Sequence, residues 1–244
     1  MRVRLCHLYP REMNIYADRG NIAVLAQRLA WRGGALDVTT AGPGEPVDDG
    51  CDLYYLGGGQ DRDQALVAED LAGRKSDALH SAAADGAAIL CVCGGFQLAG
   101  AGYTGVDGAR LAGISLLDVD TTAGSTRLIG DLVIEAELDG EISTVVGYEN
   151  HAGRTFLQGA ASPLGRVLNG HGNNGDTGLE GAVSGHVIGT YLHGPLLPKN
   201  PWLADKILSW SLEHAGAGAE LAPLDDHVER EAHQAAIDRA GVRR

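Results

Sequence analysis

The chain is organised around residues 88–97, AILCVCGGFQ. The first half of this stretch is a short apolar run without charge or alternation, which predicts a fully buried strand. Two glycines follow Cys93 and permit backbone angles that other residues avoid. A strand that turns sharply at a cysteine and enters a helix has the geometry of a nucleophile elbow. The stretch therefore predicts a strand–turn–helix unit with Cys93 at the turn.

Cys93 is the candidate nucleophile of the chain. At an elbow the side chain projects into solvent, and the helix that starts behind it favours negative charge. Thiols in such a place ionise more readily, and the thiolate is the reactive form. The alternative is a structural cysteine that packs as a small hydrophobic residue, and the pattern alone leaves both interpretations open.

The composition predicts a globular protein with one large domain, although two small domains would also fit 244 residues. The net charge of −13 argues against nucleic acid and against an anionic membrane surface, because both attract clustered Lys and Arg. No apolar run is long enough for a transmembrane helix, and the first residues lack the apolar core of a signal peptide. We therefore expect a cytoplasmic protein.

The four cysteines are expected to be thiols, because a cytoplasmic compartment is reducing. Cys91 and Cys93 are separated by one residue, whereas paired zinc ligands are usually two to four residues apart. No second Cys or His pair at ligand spacing follows, so the sequence predicts no metal site.

Strands and helices alternate from residue 1 to about residue 102, which predicts a parallel sheet built from βαβ units. The predicted strands are residues 3–8, 35–39, 52–56 and 88–92, and the predicted helices start at Ile22, after an Asn21 cap, and span residues 66–84. Gly57, Gly58 and Gly59 end one strand and could offer backbone N–H groups to an oxyanion, with a plain turn as the alternative. Ligands of open α/β sheets bind at the carboxyl ends of strands, which places these glycines beside Cys93.

Strand-like segments dominate after Gly102, at residues 128–137, 142–146, 166–168 and 186–192. They predict a β-rich layer that completes the same domain. His193 ends the last of them and is followed by Gly-Pro, which suits a general base held on a rigid element. A lone histidine more often lies at the surface or packs in the core without a catalytic role. A cysteine with a histidine distant in sequence is nevertheless the minimal set of catalytic residues for thiol-dependent acyl transfer.

A helix is predicted to begin at Asn200-Pro201 and to end by Gly216. Residues 225–239 then predict a polar final helix, which usually has a solvated face and could instead dock a partner. We therefore divide the chain into a main domain of residues 1–215 and a helical tail of residues 216–244.

Four motifs together resemble the class I (triad-type) glutamine amidotransferases, in their cobyric-acid-synthase-like branch. The motifs are the glycines at 57–59, CGGFQL at 93–98, GYENHAG at 147–153 and GTYLHG at 189–194. The resemblance implies an α/β fold, a flavodoxin-like three-layer sandwich whose central sheet is mostly parallel, with an added β-rich portion. It also implies that residues 147–153 form a substrate-binding turn.

The N-terminal motifs resemble a narrower group, the glutaminase subunits of lipid II isoglutaminyl synthases. These motifs are LYP at 8–10, MNIY at 13–16 and DRGN at 18–21. The resemblance implies a heterodimer with a Mur-ligase-like synthetase that binds the ATP and the metal, so no cofactor is expected on this chain. It further implies that L-glutamine is hydrolysed through a cysteine thioester and that ammonia amidates the α-carboxylate of D-Glu in the lipid II stem peptide, in peptidoglycan synthesis.

The same resemblance assigns further site residues. Gly59 and Gly94 would hold the oxyanion, Gln97, Asn150 and His151 would bind the substrate glutamine, and Arg127 would pair with its carboxylate. For Arg127 a solvated loop charge is the alternative.

Two positions depart from the family pattern. Cys91 stands where elbows usually carry glycine, and its side chain could strain the turn. Pro195 stands where the triad acid usually follows the histidine, a lack that the narrower group shares. The resemblance implies that an acid of the partner completes the triad, so the isolated chain is expected to be a weak glutaminase. Amidation of another acceptor such as a corrinoid, and a non-catalytic binding or redox-sensing module, remain as alternatives.

Overall fold

Two β-sheets organise the protein in the computed structural model, which describes residues 1–14, 19–159 and 161–242. The strands are β1 (Arg2–Leu8), β2 (Ala35–Ala41), β3 (Leu53–Leu56), β4 (Ala88–Val92), β5 (Gly102–Thr104), β6 (Arg110–Ala112), β7 (Val119–Leu138), β8 (Glu141–Leu157), β9 (Gly165–Asn169), β10 (Leu179–Glu180), β11 (Ala182–Ser184) and β12 (Val187–Thr190). The helices are α1 (Arg19–Trp31), α2 (Asp61–Asp70), α3 (Ser76–Asp85), α4 (Gly94–Ala99), α5 (Pro201–His214) and α6 (His227–Arg239).

The first sheet has the strand order β11-β12-β4-β3-β1-β2 within the described residues. All of its pairings are parallel except that of β11 with β12. Every residue of β3, β4 and β12 is buried, as expected for strands that helices cover on both faces. The predicted α/β fold is confirmed, and the carboxyl ends of β3, β4 and β12 meet at one edge.

The helices differ from their predicted bounds in two places. The segment predicted as one helix over 66–84 is α2 and α3 joined by a π-helical turn at Leu71–Lys75. Lys75 of this turn is fully buried, and its ammonium contacts the Asp70 carboxylate five residues earlier. The α1 helix begins at Arg19, so Asn21 is not its cap. The Asn21 side chain instead donates to Tyr55 and accepts from the Leu197 amide, which a one-dimensional pattern does not reveal.

The second sheet is built on the long antiparallel pair β7 and β8; β9 and β5 also pair with β7, β10 pairs with β9, and β6 pairs with β5. Its strands are longer than predicted. Residues 147–153 lie inside β8 and do not form the turn that the family resemblance implied. A shift of register between Ala123 and Leu128 bulges β7 opposite this motif, so that the intervening residues are not paired in the ladder.

The two sheets share one core. Buried apolar residues of the first sheet, such as Leu90, belong to the same cluster as Ile134 and Val145 of the second. A bridge between Tyr148 and His193 also joins β8 to the segment after β12, through one hydrogen bond in each direction. The β-rich half is therefore packed as a continuation of the α/β half.

The C-terminal helix α6 packs on the second sheet. Ile237 is buried against Val133 and Val146, and Arg239 forms an ion pair with Asp131. The division at residue 216 remains a prediction. Within the described ranges, no helix has the length and apolar character needed to cross a membrane.

Candidate active site

The predicted elbow is present at Cys93, the single residue between β4 and α4. Its backbone angles, φ 52° and ψ −107°, lie outside the regions that side chains favour. Such strain costs roughly 1–3 kcal/mol and persists only where neighbours enforce it. The Cys93 amide donates to Thr190 O at 2.8 Å, and the Gln97 amide donates to Cys93 O at 3.1 Å. The surrounding backbone thus fixes the turn.

Cys91 leaves the turn undisturbed. It pairs in register with Leu56 on one side and Gly189 on the other. The positive φ lies at Cys93 and not at Cys91, so the strain expected from a cysteine at position 91 is absent. Burial raises the pKa of the Cys91 thiol to about 12, which keeps it neutral.

Gly59 and Gly94 approach each other closely beside the elbow. A Cβ at Gly94 would lie 3.1 Å from the Gly59 nitrogen and 2.5 Å from Nε2 of Gln64. A Cβ at Gly59 would lie 2.4 Å from Sδ of Met13. Neither position has room for a side chain, so both backbones stand next to Cys93 in the way an oxyanion site requires.

His193 follows shortly after the end of β12, the strand that pairs with β4. Its ring is almost completely buried. Burial is the main cause that lowers the pKa of His193 to about 4; electrostatic effects of His151 and Arg127 act in the same direction and that of Glu149 opposes them, so the imidazole is neutral at neutral pH. A neutral imidazole is the form that can accept a proton from a thiol.

A cavity of about 400 Å³ opens at Cys93. The residues that line it are Gly59, Gln60, Arg62, Gln64, Cys93, Gln97, Tyr103, Arg127, Asn150, His151, Ala152 and Gly153. The cavity therefore brings together Cys93, Gly59 and the four residues predicted to bind the substrate. A larger cavity of about 630 Å³ lies elsewhere, where residues of β8, α5 and α6 meet.

Arg127 is held at the bulge of β7 by Asn150 of β8. Its Nε donates to the Asn150 side-chain oxygen, and its Nη2 donates to the Asn150 main-chain oxygen, each at 2.8 Å. These bonds use two of the five guanidinium N–H donors, so an arginine fixed at the rim keeps donors for a carboxylate. Arg127 is exposed to solvent, but these two bonds fix its position at the rim of the cavity, and its role toward a carboxylate stays a prediction.

Gln97 is anchored by residues that the sequence did not single out. Gln64 Nε2 donates to Gln97 Oε1 at 2.6 Å, and Gln97 Nε2 lies 3.1 Å from the Tyr191 hydroxyl. The Tyr191 hydroxyl also bonds Thr155, which bonds Thr121. Both the oxygen and the nitrogen of the Gln97 amide are therefore hydrogen-bonded within the protein. Gln97 shapes the wall of the cavity more than it offers a hydrogen bond to a substrate. In the sequence, this series of hydrogen bonds was indicated only by the place of Tyr191 in the GTYLHG motif at 189–194.

Two buried carboxylates, Glu149 and Glu180, lie near the site, and the sequence alone did not indicate a role for them. Glu149 is in β8, and burial would raise its pKa, but hydrogen bonds from His151 and His171 lower it. Glu180 accepts from the Thr190 hydroxyl and from the Tyr191 amide through Oε1, each at 2.7 Å. Among the described residues, its Oε2 has no hydrogen-bond partner, and burial raises the pKa of Glu180 to about 7.

Pro195 packs against the start of α1, since a Cβ at Gly20 would lie 2.8 Å from Pro195 Cγ. Among the described carboxylates, Glu149 is the one whose charge favours protonation of His193. The described part of the chain contains no group of three His, Cys, Asp or Glu residues that could hold a metal. The motif residues Ile15, Tyr16 and Asp18 lie outside the described residues.

Comparison with known proteins extends these observations. A family model for the CobB/CobQ-like glutamine amidotransferase domain matches residues 4–201. The chain is 40% identical, over 96% of its length and 94% of the relative, to the lipid II isoglutaminyl synthase (glutamine-hydrolyzing) subunit GatD of Staphylococcus aureus. It is 35% identical to the protein of the same name from Streptococcus pneumoniae, over 94% of this chain and 88% of that one.

The fold is similar to that of PurLQS from Thermotoga maritima, with a TM-score of 0.58, 17% identity, and coverage of 98% of this chain and 99% of that chain. At this identity the likeness concerns the fold alone.

Proposed function

The chain belongs to the CobB/CobQ-like glutamine amidotransferase family, and from that premise we propose that it is the glutamine-hydrolysing subunit of a lipid II isoglutaminyl synthase. The observation that carries the proposal is the strained elbow at Cys93, which opens into a cavity lined by Gly59, Arg127 and Asn150. A thiol, an oxyanion site and a cation for a carboxylate are what the hydrolysis of glutamine requires.

The reaction begins when neutral His193 accepts the proton of the Cys93 thiol. The thiolate attacks the side-chain amide carbon of L-glutamine, and the backbone N–H groups at Gly59 and Gly94 stabilise the oxyanion that forms. His193 returns its proton to the leaving ammonia. Water, with His193 again as the base, then hydrolyses the thioester to glutamate. Arg127 binds the carboxylate of the substrate, and Asn150 and His151 complete the wall around it.

The ammonia passes to a partner subunit. The two GatD proteins carry the name of a subunit, which supports a partner for this chain as well. We assign that role to a Mur-ligase-like synthetase that binds ATP and a metal and amidates the α-carboxylate of D-Glu in lipid II. The chain itself needs no cofactor for the thiol chemistry.

An acid of the partner completes the triad in this proposal. Pro195 occupies the usual place of the acid, and an orienting carboxylate fixes the tautomer of the catalytic imidazole in other triads. We propose that the reaction takes place in the cytoplasm, a reducing compartment in which thiols such as that of Cys93 persist.

Glutamate release from glutamine tests the proposal, with the purified chain alone and with the Mur-ligase-like partner. Cys93→Ala is expected to lower the rate by at least about 1000-fold, because the nucleophile is lost. Cys91→Ala is the matched control, since it removes a thiol from the same strand and is expected to keep the activity. The partner is expected to raise the rate sharply.

Hydrolysis that persists in Cys93→Ala would refute the thioester mechanism. A rate that is already high without the partner would show that an acid of this chain orients His193. An absence of hydrolysis under both conditions would favour a binding module.

A further inference from the structure

Glu149 is a carboxylate built into the interior beside the cavity. Its side chain is fully buried, and its two oxygens accept three hydrogen bonds. Oε1 accepts from the His171 amide at 2.7 Å and from Nδ1 of His171 at 2.8 Å, and Oε2 accepts from the Gly172 amide at 3.0 Å. Donors in this number keep a buried carboxylate ionised.

His151 stands against the other side of this carboxylate. Its Nδ1 lies 2.9 Å from the main-chain oxygen of Gly153, and its Nε2 lies 3.5 Å from Oε2 of Glu149. A main-chain oxygen and an ionised carboxylate can only accept hydrogen bonds. Both ring nitrogens therefore face acceptors, and a neutral imidazole, with a hydrogen on one nitrogen only, would turn a lone pair toward one of them. The arrangement suits an imidazolium.

The ring of His151 is fixed in place. It is 2% exposed and stacks on Tyr191, with the ring centroids 3.6 Å apart and the planes 7° from parallel. An aromatic face is attractive to a cation. His151 also lines the cavity that opens at Cys93.

We propose that Glu149 is a positioning residue that holds His151 as a buried imidazolium, and that this charge keeps His193 neutral and favours the thiolate of Cys93. The proposal rests on the proposed function, because it assigns the pair a task within the glutaminase site. It adds a fixed positive charge to the wall of the cavity, with Glu149 behind that wall.

The charged and titratable neighbours of His151 agree with this assignment. Glu149 is the acid that faces it, and His171 shares that acid from the loop after β9. Tyr191 lies under the ring, and Arg154 also donates to Gly153 O, at 3.2 Å.

Three neighbouring groups act electrostatically on the catalytic histidine. Burial is the first cause of the low pKa of His193, and the effect of His151 is the second, ahead of an opposing effect of Glu149 and an effect of Arg127. Removal of His151 alone would therefore change the electrostatic environment of the site, even if the fold stayed the same.

Nitrogen NMR of the histidine side chains in the complete chain tests the protonation state directly. The His151 signals are identified by their loss in His151→Gln. At pH 7.5 both ring nitrogens of His151 are expected to show the shifts of an imidazolium in the wild type and in His171→Asn. Glu149→Gln is expected to convert them to a neutral pattern. A neutral pattern in the wild type would overturn the proposal, whether or not the chain hydrolyses glutamine.

The pH dependence of Cys93 alkylation by iodoacetamide tests the consequence. The thiolate displaces iodide, so the rate follows the ionised fraction of the thiol. Loss of a nearby positive charge is expected to shift the midpoint upward by about one unit in His151→Gln and to slow the reaction about tenfold at pH 7, whereas the shift in Glu149→Gln is expected to be smaller, because that variant loses the carboxylate's negative charge together with the imidazolium's positive charge.

His171→Asn is the matched control for alkylation, because it removes the more exposed histidine from the same carboxylate and leaves His151 in place. Its profile is expected to match the wild type. An unshifted profile in His151→Gln, with the protein shown to be folded, would contradict the role of the charge. Neither the NMR signals nor the alkylation rate depends on glutamine hydrolysis. The two experiments can therefore contradict this inference even if the chain is a glutaminase, and can support it even if the chain is not.

Discussion

The two sides of the cavity are built by different means. On the side of Cys93 and Gly59 the backbone determines the geometry, through a strained turn and two glycines without room for a Cβ. On the side of His151 buried ionisable side chains determine it: His151 lines the cavity, and Glu149 lies behind it, with Oε2 3.5 Å from Nε2 of His151. The geometry of the first side therefore depends mainly on volume, whereas that of the second depends mainly on charge.

Gly94→Ala should show the sensitivity to volume most strongly. Its methyl group would meet Gln64 and the Gly59 backbone and would displace the oxyanion donors; loss of one such donor typically lowers kcat by a factor of about 100 or more, and the displacement is expected to approach that effect. Steady-state hydrolysis by the complex measures this change. Gly73→Ala is the control, because nothing lies within 4 Å of a Cβ there, and its rate is expected to be unchanged. If Gly94→Ala hydrolysed glutamine at the wild-type rate, the close approach of the Gly59 and Gly94 backbones would not be needed for catalysis.

Glu180→Gln tests how a buried ionisable group near the site affects stability as the pH changes. Burial raises the pKa of Glu180 to about 7 in the folded protein, so the native state holds a proton that the unfolded chain releases at lower pH. The stability that this group contributes is complete below its unfolded pKa and is lost as the pH rises through 7. The substitution keeps an acceptor for Thr190 and Tyr191 and removes the buried charge.

The free energy of unfolding in urea, measured at pH 5 and at pH 9, checks this expectation. Relative to the wild type, Glu180→Gln is expected to gain about 2–3 kcal/mol between the two pH values. Glu135→Gln is the control, because Glu135 is largely exposed and pairs with Arg166 at the surface. An equal pH dependence in wild type and Glu180→Gln would show that the buried carboxylate does not titrate in this range.

Cys93→Gly tests whether the turn is strained, and its expected effect is the smallest. Glycine adopts a positive φ without cost, whereas alanine keeps the strain of the native residue. Cys93→Gly is therefore expected to be about 1 kcal/mol more stable than Cys93→Ala by urea unfolding. At an unstrained position the order is reversed, because glycine gains more freedom in the unfolded chain, and that order here would contradict the strain.

The side built by the backbone could be predicted from the sequence. A buried apolar run before Cys93 and the glycines at 57–59 are local signals, and the structure places both at one sheet edge. The alternation of strands and helices predicted the parallel sheet, although the π turn at Leu71–Lys75 was missed.

The other side could not be predicted from local patterns, because its contacts join distant segments. Glu149 bonds a loop 22 residues away, and Gln64 bonds Gln97 from another helix. The motif around Asn150 was interpreted as a turn, although it is part of a long strand whose partner bulges. Its glycines and histidine hide the alternation of an ordinary strand.

The most direct test of the account is the mass of the Cys93-containing peptide after the complex is mixed with glutamine and quenched with acid. The account predicts a peptide heavier by one γ-glutamyl group on Cys93, and the unmodified mass for the peptide from Cys93→Ala. A glutamyl group on another residue, or active hydrolysis without any modified peptide, would contradict the central claim that Cys93 is the nucleophile.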